Sequence, residues 1–117
     1  MHEVPENLNL DRLIGQQLQQ ICIGAYDLQF RFMGDNRIRC TGIVHVLLGG
    51  EERLVFGEDL WHDSSPLTSI VGQEVTGWRR DGSHVLVVEL GNHAAIRFTS
   101  QDSPYEDFIV DPEVQVW

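Results

Sequence analysis

Lysine is missing altogether. All eight basic side chains of this 117-residue chain are arginines, which excludes Schiff-base chemistry and the phosphate-gripping lysine of a P-loop. Cysteine is scarce: Cys22 and Cys40 are too few for a disulfide framework and are not spaced as metal ligands. No apolar run approaches the roughly 20 residues that a spanning helix needs. The opening, Met1-His2-Glu3-Val4-Pro5-Glu6, has neither the positive end nor the apolar block of a secretory signal. The expectation is a cytoplasmic protein with both thiols reduced.

Catalytic signatures are missing too. There is no GxSxG elbow, no Walker loop and no GxGxxG fingerprint. The histidines His2, His45, His62, His84 and His93 form no HExxH pattern, and none stands at zinc-finger spacing from a cysteine. The neighbouring acids Glu51-Glu52, Glu58-Asp59 and Glu106-Asp107 would point to opposite faces of a strand, so they offer no converging acid/base pair. The sequence therefore leads to a non-enzyme with no cofactor and no metal.

What the chain does have is acid. Eighteen Asp and Glu against eight Arg give a net charge of -10. That argues against nucleic acid or an anionic membrane surface as the direct partner, since both need basic patches that displace counterions. It suits a basic protein partner; the plainer alternative is acidity that keeps a small protein dissolved. With 42% hydrophobic residues and this length, residues 1–117 make one domain with one core.

The chain also repeats itself. Residues 14–41 and 71–99 share a skeleton that opens with Gly15-Gln16 in one copy and Gly72-Gln73 in the other. Leu18 matches Val75 and Ile21 matches Trp78; Leu28, Phe30 and Phe32 match Leu86, Val88 and Leu90. Ile38-Arg39-Cys40-Thr41 then matches Ile96-Arg97-Phe98-Thr99. Strict alternation, as in Leu28-Gln29-Phe30-Arg31-Phe32, is the period of a half-buried antiparallel strand. Gly34-Asp35-Asn36, Gly49-Gly50 and Asp81-Gly82 are turn signals. Each copy reads as a short helical turn feeding a three-stranded meander, Asn9 capping the first turn and Ser64 or Ser65 the second. Ile38 to Leu48 reads as one long strand bent at Gly42, and residues 1–9 as a loose arm. The expected fold is mainly β: a small antiparallel sandwich or half-open barrel in which two duplicated meanders bury each other's apolar faces.

Two acidic segments break the repeat. Glu58, Asp59, Trp61, His62 and Asp63 lie between the copies, and Tyr105, Glu106 and Asp107 open the tail ahead of Phe108. Acids around an aromatic anchor suit a surface that recognises a basic partner. The structural alternative is that Trp61 and Phe108 plug the core with a solvated acidic rim. On the strands, the matched pair Arg39 and Arg97 and the matched positions of Arg31 and Glu89 suggest cross-strand ion pairs or an anion site.

The Leu13-Ile14-Gly15-Gln16 opening, the short strands and the close Ser103-Pro104-Tyr105-Glu106-Asp107-Phe108 resemble a family of small uncharacterised bacterial β-rich proteins. Those chains end in a Tyr-Glu-x-Trp-like motif; Phe108 stands in the Trp position. The resemblance carries no catalytic residue. In size, acidity and β content the chain is also similar in general kind to the immunity proteins that neutralise bacterial toxins. The function expected is a protein-binding module that inhibits a basic toxin such as a nuclease. Alternatives are a small-molecule-binding or enzymatic barrel lined by Arg39, Arg97, His45 and Cys22, and a structural domain that forms a homodimer through a strand edge.

Overall fold

A computed structural model describes residues 3–57, 63–100, 108–111 and 115–116. Among the described residues ten strands form two antiparallel sheets: β1 (Leu18–Ile23), β2 (Leu28–Phe32), β3 (Arg37–Cys40), β4 (Ile43–Leu48), β5 (Glu51–Phe56), β6 (Val75–Arg80), β7 (Val85–Leu90), β8 (Ala94–Thr99), β9 (Phe108–Asp111) and the two-residue β10 (Gln115–Val116). The first sheet runs β1-β2-β3-β9-β10 and the second β5-β4-β8-β7-β6. The architecture is the expected sandwich, and it does not close into a barrel. Short 3-10 turns, Asp11–Leu13 and Ser65–Ser69, precede the two meanders. Among the described residues no helix is long and apolar enough to cross a membrane.

Each meander makes one sheet, and the alternation read from the sequence decides which face is buried. Leu28, Phe30, Phe32, Ile38 and Cys40 from the first sheet are buried, as are Leu86, Val88, Leu90, Ile96 and Phe98 from the second. They share one core. Phe98 sits at its middle, edge-on to Phe30 and to Phe108 with centroids 5.5 Å apart in each case. Such contacts add about 0.5–1.5 kcal/mol each beyond area burial.

The segment expected to be one strand over Ile38–Leu48 is instead two strands in different sheets. β3 pairs with β2 and β9, whereas β4 pairs with β5 and β8. The chain leaves one sheet and enters the other at Thr41-Gly42. Facing is preserved through the switch, since Ile38, Cys40, Val44 and Val46 are all buried. Alternation alone could not reveal a change of sheet that keeps the inside-outside pattern in phase.

That crossing extends the duplication beyond the stretch visible in sequence. Ile96, Arg97 and Phe98 pair with Val46, His45 and Val44, while their matches Ile38, Arg39 and Cys40 pair with Val110, Ile109 and Phe108. Val44-His45-Val46 and Phe108-Ile109-Val110 are thus equivalent. Each half is a 3-10 turn, a meander, and a hairpin that completes the other half's sheet.

The Gly-Gln openings meet at the pseudo-dyad. Gly15 N–H donates to Val75 O (2.8 Å) and Gly72 N–H to Leu18 O (2.7 Å). Leu18 N–H donates to Gln73 O (2.8 Å) and Val75 N–H to Gln16 O (2.9 Å), around the bridge between Gln17 and Glu74. Gly15 and Gly72 have φ of +86° and +91°, a region that only glycine enters freely.

The N-terminal arm is not loose. Val4 and Leu8 are buried, Val4 N–H donates to Ser83 O at 2.7 Å, and Arg80 donates to Val4 O at 3.0 Å. Two isolated apolar residues carry no period, which is why pattern reading passed over them. Leu10, rather than Asn9, holds the N-cap position of the first turn, and Asn9 before it accepts from Asp11 N–H at 2.8 Å. Ser64 holds the N-cap position of the second without a side-chain bond of its own, and the Asp63 carboxylate before it accepts from Ser65 N–H at 3.0 Å.

Candidate functional site

Of the eight side chains singled out for partner binding, Glu58, Asp59, Trp61, His62, Tyr105, Glu106 and Asp107 lie outside the described residues. Asp63 is described: it is half-buried and its carboxylate starts the second 3-10 turn.

The anchors of the two segments converge. The first segment leaves β5 at Gly57, and a side chain there would run into Ile43, whose Cα lies 2.9 Å from where a Cβ would stand. Asp63 N–H returns to Val55 O at 3.3 Å. The second segment leaves β8 after Thr99, the register partner of Ile43. It re-enters at Phe108, opposite Cys40. Both acidic segments therefore start and finish at one end of the sandwich, the end where the chain crosses between sheets.

The duplication explains why they stand out. Between β3 and β4 the crossing is Thr41-Gly42; its counterpart between β8 and β9 runs from Ser100 to Asp107. With the β4-β5 and β9-β10 hairpins matched, residues 57–64 and 100–107 are what remains unrepeated.

The same end carries features that sequence reasoning missed. The β1-β2 turn lies there because Ile23 pairs with Leu28 and Leu28 with Cys40. It exposes Tyr26 (74%) and Ile23 (60%), the two most exposed large hydrophobic side chains described. Asp27 stands beside them, bonded to Gln29 Nε2 at 3.1 Å. Asp81 lies in the β6-β7 turn at that end, with Arg79 Nη1 3.7 Å from its carboxylate. Tyr26 sits at a turn rather than in a period, and its exposure could only be settled by the packing.

The polar side chains considered for a pocket between the halves do not line one. Arg39, Arg97 and His45 alternate with buried residues and lie on the outer faces, as does Cys22 opposite Gln29. Phe30, Phe56, Phe98 and Phe108 fill the space between the sheets. Arg97 Nη1 lies 2.6 Å from Glu52 Oε1, and His45 Nδ1 lies 3.8 Å from the same atom. Arg79 Nε reaches Glu89 Oε1 at 3.5 Å across β6 and β7. These pairs on the second sheet are partly exposed, each contributing about 0.2–1 kcal/mol.

Cys40 is fully buried. Burial pushes its thiol well above the usual range, and the nearby Asp27 carboxylate adds to the shift; a thiol so placed is a core side chain and a poor nucleophile. Among the described residues no three His, Cys, Asp or Glu side chains gather as metal ligands.

No protein-family model matches the chain, and comparison with curated proteins and with solved structures likewise gives no match.

Proposed function

We propose that this protein is a non-enzymatic binding module that inhibits a basic toxin domain, such as a nuclease, through the crossing end of its sandwich. The observation that carries this reading is that the anchors of two unrepeated acidic, aromatic-bearing segments converge at one end of a duplicated scaffold. All eight arginines lie outside those segments, in the repeated halves and the N-terminal turn. Carboxylates at that end would steer the partner's cationic cleft into place, and Trp61, Tyr105 and the exposed Tyr26 would supply contact area. Inhibition would be occlusion: the acids occupy the site that otherwise receives nucleic acid.

A homodimer through either edge of the second sheet has less support. The edge strand β5 opens with Glu51-Glu52-Arg53 and the edge strand β6 closes with Arg79-Arg80, charges that discourage strand addition.

The test is a titration against basic nuclease toxin domains. Association should slow by about ten-fold or more between low and high salt, as steered encounters do. Replacing Glu58, Asp59, Glu106 and Asp107 by their amides should abolish inhibition while leaving the melting temperature unchanged. Equal inhibition by wild type and variant, or none by either, would remove the proposal.

A further inference from the structure

The edge of the first sheet at β1 is undefended, a feature independent of the function proposed above. The charges that guard β5 and β6 are missing from it: Leu18-Gln19-Gln20-Ile21-Cys22-Ile23 holds no charged side chain. Its match in the repeat, β6, is also tied to the N-terminal arm. There Trp78 Nε1 donates to Asp11 Oδ1 at 2.8 Å and Arg80 Nη2 to Val4 O at 3.0 Å. Among the described residues β1 pairs with β2 alone, save for the Leu18 bonds at the pseudo-dyad.

The ladder fixes which backbone groups of β1 point outward. Phe32 N–H donates to Asn36 O at 2.8 Å, so Phe32, Phe30 and Leu28 bond towards β3, and Arg31 and Gln29 between them bond towards β1. Their register partners Gln20 and Cys22 bond back to β2. Gly24 continues that phase, its N–H reaching Asp27 O at 2.9 Å. Ile21 and Ile23 therefore turn their N–H and C=O groups away from the sheet, and no described residue meets them. Leu18 turns outward too, because the register shifts between Leu18 and Gln20, but its groups are taken by Gln73 and Gly72. The open edge is thus Ile21 and Ile23, and the Ile23 side chain is 60% exposed.

We propose that β1 pairs antiparallel with β1 of a second copy of this chain, about a twofold axis at Cys22. Among symmetric registers, only this one lets both open residues of each copy exchange ladder bonds, Ile21 with Ile23 of the second copy and the reverse. An axis at Ile21 would set Ile23 against Gln19, inside the register shift. An axis at Ile23 would set Ile21 against Ala25, beyond the end of the strand. The pairing covers the exposed Ile23 with Ile21 of the second copy, an apolar cross-strand pair. It also places the two Cys22 residues opposite each other as a non-hydrogen-bonded pair. Cα atoms in such a pair lie about 4.5 Å apart, within the span that a disulfide bridges. Each copy has one β1, so the contact is isologous and closes at the dimer. So short an edge makes a small interface, and the association is weak.

Sedimentation of the whole chain at rising concentration tests this. Monomer should give way to dimer and to nothing larger, and the Ile21 and Ile23 amides should gain protection from hydrogen exchange over the same range. Added salt should tighten the dimer, since two chains of net charge -10 repel each other, whereas it slows the toxin association proposed above. Ile23→Lys alters an exposed side chain, so it should keep the melting temperature while weakening the dimer by about ten-fold or more. Diamide, which takes up the two thiol hydrogens, should link Cys22 to Cys22 of the second copy at dimer-forming concentrations. Gln20→Cys combined with Cys22→Ser should link at least about ten-fold more slowly, because residue 20 stands opposite Gly24 rather than itself. A monomer at every concentration, larger oligomers, a dimer that salt dissolves, dimerisation indifferent to Ile23→Lys, or equal linking at positions 20 and 22 would each overturn the proposal.

Discussion

The two halves of this protein agree inside and differ outside. Facing the core, Leu28, Phe30, Phe32 and Ile38 of the first sheet stand where Leu86, Val88, Leu90 and Ile96 stand in the second, all of them buried. Facing away, Gln29, Arg31 and Arg37 stand where the other half has Val87, Glu89 and Ala95. The second sheet's outer face is apolar and charge-balanced. Val87 is only 1% exposed there, lying in register between Arg79 and Arg97. The first sheet's outer face is basic and polar. The core restricts both copies alike, because a sandwich interior tolerates little change in volume. The outer faces escape that restriction and could diverge.

This comparison can be broken most forcefully at its inside positions. Cys40 and Phe98 are equivalent, but Phe98 alone stacks on two rings. Phe98→Ala should cost about 3–5 kcal/mol and Cys40→Ala about 1 kcal/mol, both measured by urea unfolding. Equal costs would mean that the core is not centred where the ring geometry puts it.

Gly57 has no counterpart in the repeat. Its φ is +124° and a Cβ there would press on Ile43, so Gly57→Ala should cost about 2–3 kcal/mol. By contrast Gly15→Ala and Gly72→Ala each face only the positive-φ penalty, about 1 kcal/mol. The two values should agree closely, and a large difference would show that the dyad crossing is not energetically symmetric.

The cysteines give a smaller, pH-dependent contrast. Cys40 in the folded protein titrates above its unfolded value, whose reference is 9.0. Its contribution is therefore fully present below that pH and lost as pH rises through the folded value. Stability should decline in alkali, and Cys40→Ala should flatten that decline. In native protein at pH 8, a thiol reagent should modify the half-buried Cys22 well before Cys40. Simultaneous modification would show that the core opens readily.

The smallest effect belongs to the outer ion pairs. Glu52→Gln removes the carboxylate shared by Arg97 and His45 and should cost about 0.5 kcal/mol, less at high salt.

The buried faces of β2 and β3 and of their matches β7 and β8 were legible from alternation and the repeat, and the Gly-Gln duplication foretold the two-sheet sandwich. β1 and β6 were not legible so, because a register shift between Leu18 and Gln20 and between Val75 and Gly77 breaks their period and leaves Ile23 exposed. The change of sheet at Thr41-Gly42 was not legible either, because Ile38, Cys40, Val44 and Val46 keep one phase through it. The kinship of Val44-His45-Val46 with Phe108-Ile109-Val110 escaped for a related reason: it rests on shared register partners and barely on shared residues. At the candidate site, the two acidic segments could be picked out only by subtracting the repeat. Their common end of the sandwich, and the presence of Tyr26 and Ile23 beside it, follow from strand register, which pairs residues far apart in the chain.

The sequence by itself determined which side chains of the regularly alternating strands β2, β3 and β8 face inward, since period-2 alternation is a local property of each strand. It also determined that two like halves must bury each other, since a three-stranded meander has a face it cannot leave in water. Only the tertiary structure decided that each half lends its last hairpin to the other's sheet, and that the anchors of the two unrepeated segments lie at one end. Only it set Arg31 against Arg37. These are outcomes of pairing between distant strands, and no local pattern encodes them.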